Sequence, residues 1–384
     1  MKRLIILIFI LILVSLVTTN LNSIRDYIFN ETKTTISSSP DTINNTKPPP
    51  NETLPAETPK ILEKDVRSEF ENFVIPTNAN VTIEKQIFQT FNNCGPATLS
   101  MILSFHGINM GQQNIADVVR PYQVPNGDND DKNVSLHEFK KFIESNSLYA
   151  YYRVGGKVDT LKFLLANGYP VIARTWLNNK EDIGHFIIVT GYNNNNQTLN
   201  IQDSYYGKRN MSYTDFLDLW RPFNYEFIIV SDSLNKNRSF NLIDYAIPES
   251  SMYQKAIDLA KNEINGNNNR IYGLFNISTS YYHLKDYTKS IEYFEMVEPD
   301  LPDRMLWYQL EPVLAYKELK NYDKVFRILN NMLEKGNRAY AEAYFIKGQI
   351  FENQGKIEEA KKEYQKAIIY NKNYTEAKEA LDLL

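Results

Sequence analysis

The sequence predicts an α+β domain followed by an all-α domain of helical repeats, with a hydrophobic helix at the N-terminus. Three observations lead to this prediction. Residues 65–235 mix helical periodicity with short runs rich in β-branched and aromatic residues, residues 248–384 have helical periodicity throughout, and residues 4–17 form an almost uninterrupted apolar run. A chain of 384 residues with 43% hydrophobic content is long enough for about two or three domains.

Composition argues against several classes of function. The 42 Lys and Arg residues nearly balance the 46 Asp and Glu residues, and there is no long basic stripe, so we expect no nucleic-acid partner. An acidic loop holds Asp128, Asp130 and Asp131, but it lacks the ligand spacing of a calcium-binding EF-hand loop. We therefore predict neither a metal site nor a cofactor. The single cysteine, Cys94, excludes an intramolecular disulfide.

The N-terminal segment has the charge order of an export signal. Lys2 and Arg3 precede the apolar run, which reaches about 21 Å as a helix and, extended to Leu21, approaches the roughly 30 Å of a bilayer's hydrocarbon core. A cleaved signal and a short anchor both fit this length. Since no small-x-small cleavage site follows Val17, we favour a transmembrane anchor at residues 1–21 with the domains on the extracytoplasmic side. Cleavage would instead make the protein secreted.

Residues 22–64 differ in composition from the rest of the chain. Most of this segment is dominated by Thr, Ser, Asn, Pro and Glu, includes the run Pro48–Pro50 and shows no apolar periodicity. A segment of this kind cannot bury enough apolar surface to fold. We predict a disordered stalk between the membrane and the first domain.

Residues 65–235 contain the elements of the α+β domain. Apolar residues recur at helical spacing in several stretches, and β-branched or aromatic runs bounded by Gly, Asn or Pro follow them. This order, with helices first and strands later, predicts an antiparallel sheet. The predicted helices lie near Gly95–Phe105, Leu136–Glu144, Val158–Leu164 and Tyr213–Trp220, and the predicted strands at Val171–Trp176, Phe186–Tyr192, Leu199–Gln202 and Phe227–Ser231.

Residues 248–384 repeat themselves with a period of 35 residues. A regular period of this length predicts an array of helical pairs, in which small residues let two helices approach and aromatic residues fill the gap between them. A plain array of helical hairpins is the alternative, and the regular spacing argues against it. The columns in register are Ser278/Val313/Gly348, Tyr281/Tyr316/Phe351, Tyr287/Tyr322/Ile357, Ser290/Val325/Ala360 and Phe294/Leu329/Tyr364.

Cys94 is a candidate nucleophile because of its position at the start of a predicted helix. Pro96 in the first turn supports that start, since its φ angle is already helical and its missing N–H has no partner there. The positive end of the helix dipole favours a thiolate over a thiol. The alternative is a buried, inert cysteine of the core.

A thiolate nucleophile needs an imidazole partner, and the sequence offers four histidines. His283 lies in the repeats, His137 opens a polar helix, and His106 is twelve residues beyond Cys94 on the same helix, about 18 Å away. His185 remains. It precedes an apolar strand, so its side chain is expected at the edge or mouth of the sheet.

Asp203 is the predicted neighbour of His185. Residues 193–195 are predicted to form a turn between two strands, and with Asn194 at its centre His185 lies directly opposite Asp203, with Cβ atoms about 5 Å apart. A carboxylate at that distance would orient the imidazole. By itself Asp203 also fits a simple strand-end cap before the turn at 204–207, and His185 opposite it favours the orienting role.

Four motifs then occur in the order of one known family. They are Asn-Cys-Gly-Pro-Ala at 93–97, Gly-Tyr-Pro-Val-Ile at 168–172, Gly-His-Phe-Ile-Ile-Val-Thr-Gly-Tyr at 184–192, and a strand that ends in Asp203. On these motifs the segment from about residue 86 to residue 230 resembles the papain-like cysteine peptidase family thirty-nine, which includes bacteriocin leader peptidases.

The resemblance implies a papain-like fold with Cys94 as nucleophile, His185 as general base and acid, and Asp203 as orienting residue. It also implies that Gln89 and the backbone N–H of Cys94 form the oxyanion hole. Gln89 stands five residues before Cys94, whereas the family's glutamine commonly stands six before it. The sequence shows no ATP-binding P-loop and no multi-span membrane domain, which argues against a leader-processing peptide exporter.

The last repeat unit, residues 341–374, resembles a tetratricopeptide repeat, and the two earlier units are degenerate. Together with the location expected from the N-terminal segment, the resemblances predict an extracytoplasmic cysteine peptidase that acts on a peptide or protein substrate and binds a protein partner through its repeats. One alternative is a catalytically idle, membrane-anchored adaptor, and another is acyl transfer by the same residues. The residues that match the repeat motif are Tyr344, Gly348, Phe351, Gly355, Ala360, Tyr364 and Ala367.

Overall fold

The computed structural model describes residues 73–121, 134–243, 247–264, 270–334 and 338–384. The predicted anchor at 1–21, the predicted stalk at 22–64 and the acidic loop near 128 lie outside these ranges. Among the helices that are described, none combines the length and the apolar character needed to cross a membrane.

Residues 73–243 form an antiparallel sheet with helices on both faces, which confirms the predicted α+β class. Within the described residues the sheet has seven strands in the order β2-β7-β3-β4-β5-β6, and β1 pairs with β4. The strands are β1 (Asn78–Asn80), β2 (Tyr149–Arg153), β3 (Val171–Asn178), β4 (Glu181–Asn193), β5 (Thr198–Asp203), β6 (Gly207–Ser212) and β7 (Phe227–Ser231). The helices are α1 (Cys94–Phe105), α2 (Gln112–Val119), α3 (Leu136–Ser145), α4 (Val158–Ala166), α5 (Tyr213–Trp220) and α6 (Lys236–Leu242).

The two faces of the sheet bury alternate residues of its strands. Val171 and Ala173 of β3 join one hydrophobic cluster with α4 and α5, whereas Ile172 between them joins a second cluster with α1 and α3. Because side chains alternate across a strand, this pattern fixes β3 at the centre of the sheet. Helix α1, which begins at Cys94, therefore packs on one face of the sheet.

All eight predicted elements are present, but the predicted order of helices before strands is wrong. Strand β1 precedes α1, and β2 lies between α3 and α4. The sequence did not reveal β6 either, because an edge strand of sequence GKRNMS carries only one large apolar side chain, that of Met211. Short or polar edge strands are the elements that hydrophobic periodicity cannot detect.

Residues 249–382 form helical pairs, as the 35-residue period predicts. The second helices of three successive pairs begin at Tyr287, Tyr322 and Ile357, which are the positions that the repeat columns align. The helices are α7 (Glu249–Ile264), α8 (Arg270–His283), α9 (Tyr287–Glu295), α10 (Met305–Tyr308), α11 (Glu311–Glu318), α12 (Tyr322–Glu334), α13 (Ala341–Asn353), α14 (Ile357–Tyr370) and α15 (Thr375–Asp382).

The pair α13 and α14 packs so closely that glycine is required at the contact. A Cβ atom on Gly348 would lie 2.5 Å from the ring of Tyr364, which is fully buried. We therefore expect Gly348→Ala to lower the free energy of unfolding by about 1–3 kcal/mol, because the buried ring has no space to retreat. Urea unfolding followed by circular dichroism measures this.

Gly111→Ala is the matched control for Gly348→Ala. Gly111 has a φ angle of −74°, and a Cβ atom added there meets nothing within 4 Å. Its free energy of unfolding should change by about 0.5 kcal/mol or less. Equal losses in the two variants would contradict the close contact between α13 and α14.

The repeats are packed directly against the sheet domain. One hydrophobic cluster continues from the strands through Phe223 to Val313 and beyond in the repeats. Two buried hydrogen bonds cross the same boundary, from Asn224 Nδ2 to Ser280 Oγ at 2.9 Å and from Gln309 Nε2 to the carbonyl of Pro222 at 2.9 Å. Buried polar pairs of this kind fix the register of two packed surfaces.

The short helix α10 places the repeats beside the β3–β4 hairpin. Arg304 Nη1 lies 2.9 Å from Asp182 Oδ1, and the backbone N–H of Arg304 donates to the same carboxylate. Tyr308 lies over Gly184, where a Cβ atom would be 2.7 Å from its ring. The repeats thus contact the strand that carries His185.

Candidate active site

Cys94 is the first residue of α1 and is partly exposed to solvent. The turn before it brings Asn92 into the left-handed region, with φ of 54°, and Asn93 is the N-cap. The first N–H groups of a helix have no partner inside the helix, so the backbone N–H of Cys94 is among the groups free to bind an oxygen. Thiol and N–H lie together at one end of α1.

The loop that leads to Cys94 is held by side-chain hydrogen bonds. Asn93 Nδ2 donates to Thr90 Oγ1 at 2.7 Å, and Arg120 donates to Asn93 Oδ1 at 3.2 Å. Gln112 of α2 accepts from the Thr90 N–H and donates to the carbonyl of Phe88. These contacts fix the position of the thiol before any substrate binds.

His185 lies within β4 and is only 2% exposed. Its Nε2 atom is 2.8 Å from Asp203 Oδ1, and the ring lies near enough to Cys94 for that residue to raise the pKa of the ring. The other three histidines are elsewhere. His106 caps the far end of α1, His137 is exposed against Tyr152, and His283 stacks on a tyrosine of the repeats.

The contact between His185 and Asp203 exists, but the predicted strand register is wrong. Asp203 pairs with Ile187, so it is the diagonal rather than the direct neighbour of His185. The turn has four residues, 194–197, because Asn193 pairs with Thr198, and a β-bulge between residues 189 and 191 shifts the register again. Diagonal neighbours remain within reach of a ring and a carboxylate.

Asp203 is fully buried and its carboxylate accepts several hydrogen bonds. Besides His185, the backbone N–H groups of Tyr205 and Tyr206 donate to Oδ1 at 2.7 and 3.2 Å, and Arg209 donates to Oδ2 at 2.9 Å. Burial alone would raise the pKa of Asp203, but the hydrogen bond and charge of His185, the Tyr205 N–H and the Arg209 charge lower it. The carboxylate is therefore held ionised.

Arg209 is a site residue that the sequence patterns do not identify. It lies on β6, opposite Ile201 and near Asp203, and its guanidinium also covers the ring of Tyr206 at 4.4 Å. Predicting a β-hairpin across the turn after Asp203 would have placed Arg209 near that carboxylate. The sequence signal for such a hairpin is the glycine at 207, whose φ is 78°.

The same contacts keep the His185 ring protonated. Burial alone would lower its pKa, but hydrogen bonds to Asp203 and to the thiol of Cys94, with the negative charges of both groups, raise it from 6.5 to about 9. A raised pKa means that the protonated ring contributes stability that is fully present below pH 6.5 and is lost as the pH rises through about 9.

Histidine titration by NMR tests this charge state. We expect the His185 ring signals to remain those of an imidazolium at pH 7.5 and to move near pH 9. His106 is an internal control, because burial lowers its pKa below 6.5, and a His185→Gln variant assigns the signals. A His185 ring that is neutral at pH 7 would contradict the arrangement.

Two glutamines precede Cys94, and they make different contacts. Gln89 accepts a hydrogen bond from Ser204 Oγ at 2.9 Å through its Oε1 atom, which leaves its amide nitrogen to donate. Gln86, which the sequence did not single out, donates its amide to the carbonyl of Asp203 at 2.8 Å. Of the two, Gln89 is therefore the one whose amide N–H groups remain for an oxyanion.

The arrangement brings a thiol, an imidazolium and a buried carboxylate into one chain of contacts. Such a chain can move a proton between sulfur and a leaving group while the ring keeps its orientation. Within the residues described, no three His, Cys, Asp or Glu side chains cluster as metal ligands. These are the groups that covalent catalysis by a cysteine requires.

Comparison with known families agrees with both parts of the fold. Residues 78–228 match the Peptidase_C39 like family, which confirms the resemblance read from the four sequence motifs. Residues 341–374 match the Tetratricopeptide repeat, and these are the bounds predicted for the last repeat unit. No curated protein matches the chain.

Several solved structures are similar to parts of the chain. The peptidase domain of Streptococcus ComA, a bi-functional ABC transporter, is 17% identical over 39% of this chain and 98% of its own, with a TM-score of 0.31. A C39-like peptidase from Bacillus anthracis is 14% identical over 41% of this chain and 98% of its own, with a TM-score of 0.34. The first tetratricopeptide repeat of Spaghetti is 24% identical over 29% of this chain and 86% of its own, with a TM-score of 0.25.

From the family matches, residues 78–228 are similar to the Peptidase_C39 like family, and residues 341–374 in the helical region after them are similar to the tetratricopeptide repeat.

Proposed function

We propose that the protein is a cysteine peptidase that hydrolyses peptide bonds, with Cys94 as nucleophile. One observation carries this proposal: the imidazole of His185 hydrogen-bonds to the buried carboxylate of Asp203 and lies near enough to Cys94 for that residue to raise the pKa of the ring. A cysteine that serves only to pack the core is buried and inert. Cys94 differs from this because it is partly exposed and has an imidazole beside it.

The reaction proceeds in two stages on these residues. The sulfur of Cys94, as thiolate, attacks the carbonyl carbon, and the His185 imidazolium gives its proton to the leaving amine as the C–N bond breaks. The ring, now neutral, takes a proton from water, whose oxygen attacks the thioester and releases the acid. Asp203 keeps the ring in place and stabilises its charge throughout.

The negative charge that develops on the carbonyl oxygen needs donors. Two donors are proposed for this role: the backbone N–H of Cys94 at the first turn of α1 and the side-chain amide of Gln89. The helix positions the first donor, and the hydrogen bond from Ser204 positions the second. Ser204 holds Gln89 by its side chain, and the Gln89 N–H donates to the Ser204 carbonyl at 2.8 Å. Because Ser204 directly follows Asp203 in the chain, the same stretch of backbone positions both the amide of Gln89 and the carboxylate of Asp203.

Cleavage of a peptide library in water enriched in oxygen-18 tests the proposal. We expect mass spectrometry to detect new C-terminal carboxylates that carry the heavy isotope, and none with Cys94→Ala protein. Products joined to an added amine instead of water would indicate acyl transfer. A library that stays uncleaved under all conditions would contradict the enzymatic proposal. It would favour the alternative function of an adaptor that binds partners through its repeats.

The proposed location is the extracytoplasmic side of a membrane, held by residues 1–21. Lys2 and Arg3 followed by the apolar run support this location. Full-length protein should sediment with membranes, resist extraction by alkaline carbonate and be degraded by protease added outside intact cells. A full-length chain that stays soluble, or that is protected until the cells are lysed, would contradict this location.

A further inference from the structure

The strand that carries His185 begins its regular pairing only one residue before the histidine. Gly184 pairs with Trp176 of β3 in the regular ladder, but nearer the tip of the hairpin the register shifts, and Asn178 pairs with Glu181. A bulge of this kind disrupts the ladder of backbone hydrogen bonds locally. The backbone that enters β4 ahead of His185 therefore depends on other contacts for its position.

Helix α10 of the repeats supplies two of those contacts. At its start, Arg304 binds the carboxylate of Asp182, which lies in the irregular part of the hairpin. At its end, the ring of Tyr308 lies so close to Gly184 that a Cβ atom there would be 2.7, 2.9 and 3.1 Å from three of its carbon atoms. Carbon atoms that are not bonded pack best at about 3.5–4.0 Å, so the ring lies directly on the backbone of Gly184.

Tyr308 is itself held by β3. Its ring packs edge-on against Trp176 with the centroids 5.5 Å apart, and the guanidinium of Arg174 lies 5.3 Å from its centroid. Arg174 is only 2% exposed, and its Nη1 atom donates to Glu226 at 3.3 Å and to the carbonyl of Tyr308 at 3.4 Å. Because Trp176 is the pairing partner of Gly184, the ring of Tyr308 contacts β3 and β4 where their regular ladder begins.

The residue after His185 is fixed by the same group of side chains. Arg174 pairs with Phe186 in the ladder, and its guanidinium lies 5.6 Å from the centroid of that ring. Tyr308 thus contacts the residue before the histidine, and Arg174, which bonds Tyr308, contacts the residue after it. Support on both sides of His185 holds the strand in place, and the imidazole must stay within 2.8 Å of its carboxylate partner.

We propose that Tyr308 is a positioning residue for the imidazole of His185, so that the repeats complete the catalytic site of the peptidase domain. This inference deepens the proposed peptidase function and rests on it for its consequence in catalysis. Tyr308 acts through the backbone of Gly184 and takes no part in the proton transfer itself. The peptidase domain without its repeats would keep its three catalytic residues but lose a contact that holds one of them.

The NMR signals of the His185 ring test the proposal without catalysis. In full-length protein at pH 7.5 we expect Tyr308→Ala to move these signals, because the strand before the histidine loses its support. Tyr308→Phe keeps the six-membered ring on Gly184 and should leave the signals at their wild-type positions.

Tyr293→Ala is the matched control for Tyr308→Ala. Tyr293 is half-buried, as Tyr308 is, but its ring stacks on Tyr281 within the repeats, with the centroids 5.6 Å apart. Its loss should weaken the packing of the repeats and leave the His185 signals unchanged. Movement that occurs with Tyr308→Ala and not with Tyr293→Ala therefore reports on the contact with the sheet.

Gly184→Ala tests the same contact from the side of the sheet. The added Cβ atom would displace the ring of Tyr308, so the His185 signals should move in this variant too. When Tyr308 is already alanine the ring is absent, and Gly184→Ala should then move the signals less than it does in wild type. An equal effect of Gly184→Ala in both backgrounds would contradict a role of the ring contact.

Kinetics connect the contact with the reaction. On the peptide identified in the library experiment, Tyr308→Ala should lower kcat by about 10–10²-fold and change KM by less than about threefold, because a displaced catalytic group slows the reaction more than it weakens binding. Tyr308→Phe should restore kcat to within about twofold of wild type.

Three results would overturn the inference: His185 signals that are identical in wild type and Tyr308→Ala, equal movement in Tyr293→Ala, or a Tyr308→Phe protein as altered as Tyr308→Ala. A kcat that Tyr308→Ala leaves within about twofold of wild type would do the same. Movement confined to Tyr308→Ala, in a protein whose wild type cleaves no peptide, would preserve the positioning of His185 and remove the proposed peptidase function.

Discussion

Replacing Cys94 with alanine is expected to reduce peptide hydrolysis by about 10⁴-fold or more, the largest effect that any single change in this chain should produce. No other thiol is present to take over the attack, since Cys94 is the only cysteine of the sequence. The remaining groups can still bind a peptide and polarise its carbonyl, but the covalent intermediate cannot form. The turnover of a peptide identified in the library experiment measures the loss.

The same variant should fold normally. Cys94 is partly exposed at the end of a helix, so loss of its sulfur should change the free energy of unfolding by about 1 kcal/mol or less. Ser104→Ala, near the other end of α1, is the control and should retain activity. A Cys94→Ala protein that keeps its activity while folded would refute nucleophilic catalysis by this thiol.

Asp203→Asn is expected to damage both stability and activity. The side-chain oxygen of an asparagine can still accept hydrogen bonds from His185 and from the backbone N–H of Tyr205. Its NH₂ group, however, would face the guanidinium of Arg209, and both of these groups are donors. Because Asp203 is fully buried, this loss should lower the free energy of unfolding by about 3 kcal/mol. The imidazolium also loses its counter-charge, so activity should fall by about 10²–10⁴-fold.

Urea unfolding at several pH values separates the charge of Asp203 from its shape. The pKa of Asp203 is lowered in the folded protein, so its contribution is present above pH 3.8 and is lost as the pH falls below that value. The difference between wild type and Asp203→Asn should therefore shrink in acid. Asp258→Asn, at an exposed position of α7, should change stability by about 0.5 kcal/mol or less. A difference that is independent of pH would contradict a buried charge at Asp203.

The sequence was sufficient to find the thiol and the imidazole because the choice was small. With one cysteine and four histidines, position on the predicted elements eliminates all partners but His185. The contact between His185 and Asp203 was predicted from a strand pairing that differs from the one in the structure. Loop length and a bulge are not visible in a run of four asparagines, and the diagonal reach of the side chains preserved the contact.

Other parts of the site depend on tertiary structure that local patterns do not encode. Arg209 reaches Asp203 from a polar edge strand, and Gln86 supports the Asp203 backbone from a loop without periodicity. Tyr308 comes from the repeats, more than a hundred residues after His185 in sequence. The 35-residue period revealed the helical pairs, but it holds no information on the surface against which they pack.

The rate at which iodoacetamide alkylates Cys94, measured from pH 5 to pH 9 in wild type and in His185→Gln, tests the central claim most directly. With a single thiol in the chain, every alkylated molecule reports on Cys94. We predict that wild type reacts faster than the variant at pH 6, because only the wild type places a positively charged imidazolium beside the sulfur. Superimposable profiles for the two proteins would contradict a catalytic pair of Cys94 and His185.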